Sequence, residues 1–180
     1  MTLHPKTRGA LAFAATLAAL MVATAAQPRD RENPAVIVSP ESLAPAPDQK
    51  PANLGRSFVS LHSTLIGQGG VTQLNLSGSL SIHNTSATTP LAVQKIDYRS
   101  GTGQIVESFL AEPVYLKPYA SLQVVIAQAD VRAGVGASFT VDWATPSGGD
   151  EPMVDAVMAG FAGTRSYSFI TTGRRVSRPQ

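Results

Sequence analysis

The sequence contains no cysteine among its 180 residues. That excludes disulfides, thiol nucleophiles, cysteine-ligated zinc, iron–sulfur clusters and a lipid-modified N-terminal cysteine. Charge is sparse as well. Fourteen basic residues stand against twelve acidic ones, and charged residues make up 14% of the chain. So even a balance offers no clustered basic face of the kind nucleic acid requires, and no nucleic-acid partner is expected. Aromatics amount to 6%, with one Trp, and there are three histidines.

One long uncharged run is present, from Gly9 to Pro28. Lys6 and Arg8 precede it, its apolar heart spans 10–23, and small residues Ala23-Thr24-Ala25 follow. These are the three parts of a secretory signal peptide: a positive start, an apolar helix that partitions, and side chains that fit the peptidase cleft. An uncleaved anchor is the alternative, because about 20 apolar residues span a bilayer. Nine of the twenty are Ala, however, and the strongly apolar part is short. A leader over 1–26, cleaved after Ala25 or Ala26, is the expectation. It implies a periplasmic or secreted protein that meets a membrane only if the leader is kept. Without Lys6 and Arg8 the mature chain is neutral, with twelve basic and twelve acidic residues.

Residues 27–55 hold six of the 13 prolines and one apolar cluster, Val36-Ile37-Val38. Proline fixes φ and donates no backbone hydrogen bond, so this stretch is expected to be an extended, disordered linker. The alternative is that 35–38 docks on a domain edge. From 56 to 173 short apolar runs alternate with turn residues. The clearest is Leu74 to His83, where Leu74, Leu76, Gly78, Leu80 and Ile82 alternate with polar residues. A period of two marks a half-buried strand. Similar candidates lie at 58–66, 91–99, 104–110, 114–117, 121–127, 138–144 and 167–171. The pair 91–99 and 104–110 flanks Ser100-Gly101-Thr102-Gly103 and predicts a hairpin. The run 153–161 fits both helical and strand spacing, and Gly160 tips it toward strand. About eight short strands punctuated by turns predict an all-β fold, a single antiparallel β-sandwich of immunoglobulin-like type. The basic residues Arg174, Arg175 and Arg178 fall in a tail, 174–180, expected to fray.

In this order, Leu80-Ser81-Ile82-His83-Asn84-Thr85, Ile96-Asp97-Tyr98, Leu116-Lys117-Pro118-Tyr119-Ala120-Ser121 and Gly134-Val135-Gly136-Ala137-Ser138-Phe139 form a series. It closes with Trp143, the run Glu151 to Gly160, Ser168-Phe169 and Gly173-Arg174. The series resembles a bacterial family of unknown function, DUF3124, over most of 58–174. The resemblance implies an exported single-domain protein and supplies no activity.

The chemistry-bearing residues are few. No Gly-x-Ser-x-Gly elbow is present, and no third group near His62 or His83 would orient an imidazole for a serine nucleophile. His62 and His83 are weak candidates for a metal, with Met153 and Met158 as thioethers that would suit Cu(I). The ligands are scattered rather than clustered, so no metal and no cofactor is expected. Asp142 and Asp155 fall on strand faces away from the apolar residues and are expected in solvent. Asp130 is placed to cap the turn before Gly134, and Asp150-Glu151 lacks the spacing of a calcium loop. Trp143 alternates with Phe139 and Val141, as the buried aromatic of a sandwich does. Tyr98 and Tyr119 lie near predicted turns and could form an exposed contact patch. Tyr98, Tyr119, Asp130 and Glu151 are therefore the candidate binding residues, and no catalytic residue is expected.

Together these features predict a non-enzymatic interaction or accessory module that meets an envelope protein or ligand through the loops 67–70 and 146–150 or a strand edge. A periplasmic ligand- or metal-binding protein is the alternative. Mass spectrometry of the exported chain is expected to find an N-terminus at Ala26 or Gln27. Recovery of the intact leader in the membrane fraction would show an anchor instead.

Overall fold

The alternation of apolar and polar residues becomes thirteen strands in a computed structural model that describes residues 35–48 and 50–178. In chain order they begin with β1 (Val36–Ile37), β2 (Asn53–Ser60), β3 (Thr64–Ile66), β4 (Gln73–Asn75), β5 (Ser77–His83), β6 (Leu91–Arg99) and β7 (Ile105–Ser108). They continue with β8 (Val114–Leu116), β9 (Ser121–Ile126), β10 (Ser138–Thr145), β11 (Met153–Ala162), β12 (Arg165–Thr172) and β13 (Arg174–Val176). Eight of these have four or more residues. The leader expected over 1–26, the first part of the Pro-rich segment and residues 179–180 lie outside the described residues.

The strands form two main antiparallel sheets. The first has the order β1-β9-β5-β11-β12, and the second β13-β2-β10-β6-β7 with β8 also paired to β6. β3 and β4 make a separate hairpin. No helix among the described residues is long and apolar enough to cross a membrane. The segment 153–161, ambiguous in sequence, is the strand β11, with Met153 half exposed and Met158 buried on opposite faces.

The inward faces of the two sheets meet in one apolar core. β5, β9 and β11 contribute Leu80, Ile82, Leu122, Val124, Ile126, Val154, Ala156 and Met158. β2, β6 and β10 contribute Val59, Val93, Ile96, Tyr98, Phe139, Val141 and Trp143. Burying one large apolar side chain stabilises by about 1.5–3 kcal/mol. A native disulfide in a small secreted domain is worth about 2–5 kcal/mol. With twelve large side chains fully buried, this core does what cross-links do in smaller disulfide-bonded domains. A bulge opposite Asp142 and Trp143 shifts the phase of β6, so that both Val93 and Ile96 face inward while Lys95 and Asp97 face out.

Trp143 is the largest of these side chains and needs space across the sheet. It lies opposite Gly55, where an added Cβ would sit 2.1 Å from the indole. Its Nε1–H donates to Ser57 Oγ at 3.0 Å, which satisfies the one polar atom that burial would otherwise strand.

Two expectations are corrected. The Pro-rich segment is not a disordered linker from residue 35 on. Val36 and Ile37 pair with Val124 and Gln123, and Val36 and Val38 pack on the core. The Ala44 N–H donates to Tyr115 O at 2.8 Å and the Lys117 N–H to Ser42 O at 2.9 Å. The prolines are tolerated because they fall outside the paired strands: Pro40 opens a single 3-10 turn, and Pro45, Pro47 and Pro51 lie in unpaired backbone, so no ladder donor is lost. The domain also starts before 56, since Asn53, Leu54 and Gly55 already pair with β10. At the other terminus Arg174, Arg175 and Val176 form β13 on the free edge of β2 rather than a frayed tail. There the Arg175 guanidinium stands 5.2 Å from the Trp143 ring centroid, a cation–π contact that composition alone does not show.

Gly55→Ala is expected to destabilise the domain by about 1–3 kcal/mol through overpacking against the indole, read by urea denaturation. Ser57→Ala, which leaves the indole N–H unpaired, should cost about 1–3 kcal/mol. A wild-type midpoint in both variants would show that Trp143 is not held as described.

Candidate functional site

The strand register sorts the candidate residues to two ends of the sandwich. β2 and β6 end, and β10 begins, at one end, where Ser138 faces both Ser60 and Arg99. There the loop 127–137 crosses from β9 to β10, with Asp130 close to Tyr98 and Gly136 bonded to His62. β5 ends, and β9 and β11 begin, at the other, where His83 faces both Ser121 and Met153. Tyr119 and Glu151 belong to that end. His62, in the link after β2, and His83, at the end of β5, therefore lie at opposite ends, so they do not converge on one ion.

At the first end His62, Asp130 and Arg132 are engaged internally. The His62 Nδ1 accepts the Gly136 N–H at 3.0 Å, and the His62 N–H donates to Met158 Sδ at 3.1 Å. Asp130 forms the expected turn: its Oδ1 accepts the Arg132 N–H at 3.3 Å and Nε at 2.8 Å, and its Oδ2 accepts the terminal nitrogen at 2.6 Å. The same guanidinium reaches Glu107 Oε2 at 2.7 Å. The Asp130 hydrogen bonds hold Arg132 well above its ordinary range. Tyr98 corrects an expectation. It is 0% exposed, its ring stacks on Phe139 at 4.9 Å, and it is no surface patch. Closeness to the 100–103 turn misleads, because the loop 127–137 caps that end with Ala133 and Ala137 in the core. The Tyr98 hydroxyl has no hydrogen-bond partner, since the neighbouring Ser63 hydroxyl is turned to Gly134 O at 3.4 Å. Burial pushes that hydroxyl above its usual range.

At the second end Asn84 is the organising residue. Its buried Nδ2 donates to the carbonyls of Thr89, Leu116 and Lys117 at 2.8, 3.2 and 3.0 Å, and its Oδ1 accepts the Ser86 N–H at 3.0 Å. These bonds pin the turn in which the Ala120 N–H donates to Lys117 O at 3.1 Å. Pro118 and Tyr119 are its central residues, and Tyr119 has φ 59°, a left-handed conformation usually given to glycine in such a turn. Its side chain is 72% exposed. Glu151 is exposed, but its carboxylate is ion-paired with Arg175.

Two acidic residues are placed differently from what alternation alone suggests. Asp97 and Asp142 do point away from the core, on the outer face of the second sheet, yet they are buried. Arg56 clasps Asp142 at 2.5 and 2.7 Å, and Arg178 approaches it at 3.6 Å. Asp97 accepts from Lys95 at 2.8 Å, Arg99 at 3.3 Å and the Ser108 hydroxyl at 2.6 Å. The solvent expected around Asp142 is replaced by the stems of long basic side chains from adjacent strands. Only the pairing of Arg56, Asp142 and Lys95 across β2, β10 and β6 reveals this. Burial alone pushes the Asp97 carboxyl up. The Lys95 and Ser108 hydrogen bonds, with the charges of Lys95 and Arg99, outweigh it and hold the group below its ordinary value. Each carboxylate is paired with two cations, an arrangement that ties adjacent strands together. Among the described residues no three His, Asp or Glu side chains gather as a metal-holding group.

The first sheet presents a different surface. On its outer face Ser81 faces Asp155 and Thr172, Ser79 faces Val157 and Ile170, Ser77 faces Ala159 and Ser168, and Phe161 faces Ser166. Asp155 is the one full charge in these rows. β12 is the sheet's edge, unpaired on its outer side among the described residues. From Ser166 to Thr172 it has no charge and no proline. The other edges are blunted: β1 has two residues, β7 carries Glu107, and β13 carries Arg174 and Arg175.

The fold and these surfaces define a two-sheet, disulfide-free β-domain whose buried carboxylates and Asn84 are tied up in structure. The chain belongs to the family described as protein of unknown function (DUF3124), whose model matches residues 55–176. Among solved structures it is similar to the one titled "Crystal Structure of Thermotoga maritima 1070", at 15% identity and a TM-score of 0.40, covering 67% of this chain and 92% of that one. No curated protein matches the chain.

Asp97→Asn is expected to destabilise the domain by about 2 kcal/mol at neutral pH, because Lys95 and Arg99 lose their counter-charge. Asp97 has a lowered folded-state value, so its contribution is fully present above the unfolded value of about 4 and is lost as pH falls through the folded one. Urea melts at decreasing pH should show the gap between wild type and variant closing in acid. A gap that stays constant would contradict the ion network.

Proposed function

We propose that this protein is an exported, non-enzymatic interaction module of the bacterial cell envelope, and that β12 with the adjoining outer face of the first sheet is its contact surface. The observation that carries this is the unprotected edge. Natural sheets blunt their edges with charge, proline or shortness, and an edge without them is a template for another strand. From Ser166 to Thr172 β12 carries neither charge nor proline, and its Ile170 and Phe161 of the adjoining β11 are each 73% exposed. The loops 67–70 and 146–150 are weaker carriers, having no comparable apolar surface apart from Val71.

Export is supported by Lys6, Arg8, the apolar run after them and Ala23-Thr24-Ala25. An immunoglobulin-like core is supported by the pairs β5–β9 and β6–β10, joined by crossovers from β5 to β6 and from β9 to β10, with Trp143 buried between the sheets. The flanking strands depart from that pattern, because β2 joins β10 and β11 joins β5. The alternative, a periplasmic ligand or metal binder, has less support: its histidines sit at opposite ends, and Asp130 and Glu151 are held by arginines.

A photo-crosslinking residue placed at Ile170 of the full chain, activated in intact cells, is expected to give discrete protein adducts. The same probe at Val71, in the exposed 67–72 loop, should not. Adducts at Val71 and none at Ile170 would move the contact to that loop, and adducts at neither would end the interaction reading.

A further inference from the structure

We propose that the strand seated on β12 is β12 of a second copy, in an antiparallel pair centred on Ser168. This rests on the reading of β12 as the contact surface and names its occupant. An antiparallel partner places same-face residues opposite one another, so a symmetric pair must be centred on a single residue. With Ser168 at the centre, Tyr167 opposes Phe169 and Ser166 opposes Ile170, each twice. Arg165 opposes Thr171, so no like charges meet.

The outer face decides the register. Within one chain Phe161 stands beside Ser166, and Val157 beside Ile170. The Ser168-centred pair therefore aligns four strands in one row: Phe161 and Ser166 of one copy, then Ile170 and Val157 of the other. The small Ser166 leaves room above it for Phe161 and Ile170 to approach, covering the two large apolar side chains most exposed on this face. By symmetry this happens twice. Centring on Phe169 instead would set Ser166 against Thr172 and end the row on Asp155 rather than Val157, leaving Phe161 with no apolar neighbour across the seam. The Ser168 register is self-complementary in shape and in charge. At the end of the pair the Thr171 hydroxyl points inward and is given to Ser60 O at 2.5 Å.

The absence of cysteine makes the geometry directly testable. Facing residues of an antiparallel pair have Cα atoms about 4.5–5.5 Å apart, within the span a disulfide bridges. Ser168→Cys, expressed as the full chain and recovered as the cell processes it, is expected to form a covalent dimer under mild oxidation. Ser147→Cys, in an exposed loop, should remain monomeric. Sedimentation of the wild type should give twice the chain mass, and Ile170→Lys should weaken the association at least tenfold. Circular dichroism would confirm that this exposed-site variant keeps its strands. A monomeric wild type, with Ser168→Cys crosslinking no faster than Ser147→Cys, would overturn the self-pairing. If the probe at Ile170 then yields adducts with other proteins, the interaction module stands and only the second copy is lost. If it yields none, both fall.

Discussion

The Trp143 indole occupies the volume that a side chain at position 55 would need, and much of the second sheet is arranged around that fact. Because only glycine fits opposite the ring, β2 and β10 must meet with Gly55 facing Trp143, and a one-residue slip would turn every buried side chain of β2 outward. The same register places Ser57 under the indole N–H. It also leaves the far edge of β2 open for β13, whose Arg175 stands at the indole ring and pairs with Glu151. One bulky aromatic thereby links the two ends of the chain: the strand that opens the sheet and the segment that closes it.

Charge is distributed with comparable economy. The mature chain is expected to be neutral, yet the two outer faces differ sharply. The second sheet carries Arg56, Lys95, Arg99 and Arg178 wrapped around Asp97 and Asp142. The first carries serines, a threonine and exposed aliphatics around a single Asp155. Ion pairs across strands discourage another strand or sheet from stacking on the second face, since covering it would desolvate several charges. No such barrier guards the first face. The asymmetry, more than any single residue, is what points to β12 as the surface that meets another molecule.

How much of this was legible in the residues depends on the range of the interaction. Alternation of Leu74 through Ile82 and of Phe139 through Trp143 announces strands, because side-chain direction in a strand is a local, two-residue property. The core position of Trp143 and the Asx-type turn at Asp130 follow in the same way. Tyr98 shows the limit. Its pattern with Ile96 places it on the inward face, but nearness to a turn suggested a surface role, and the loop that caps it lies some thirty residues further along the chain. Asn84, which organises the other end, stood out only as one member of a motif series, because its partners at Leu116 and Lys117 are remote in sequence.

The sequence by itself determined that this is a disulfide-free, strand-rich domain resting on an apolar core, with a membership carried by an ordered series of short motifs. Those are consequences of composition and of local periodicity. Only the tertiary structure decided that Asp97 and Asp142 are buried, that short stretches of the Pro-rich segment and of the basic tail are strands, and that β12 is the exposed edge. Each of these depends on which strand lies beside which. That choice is made by the packing of side chains distant in the chain, and no window of neighbouring residues contains it.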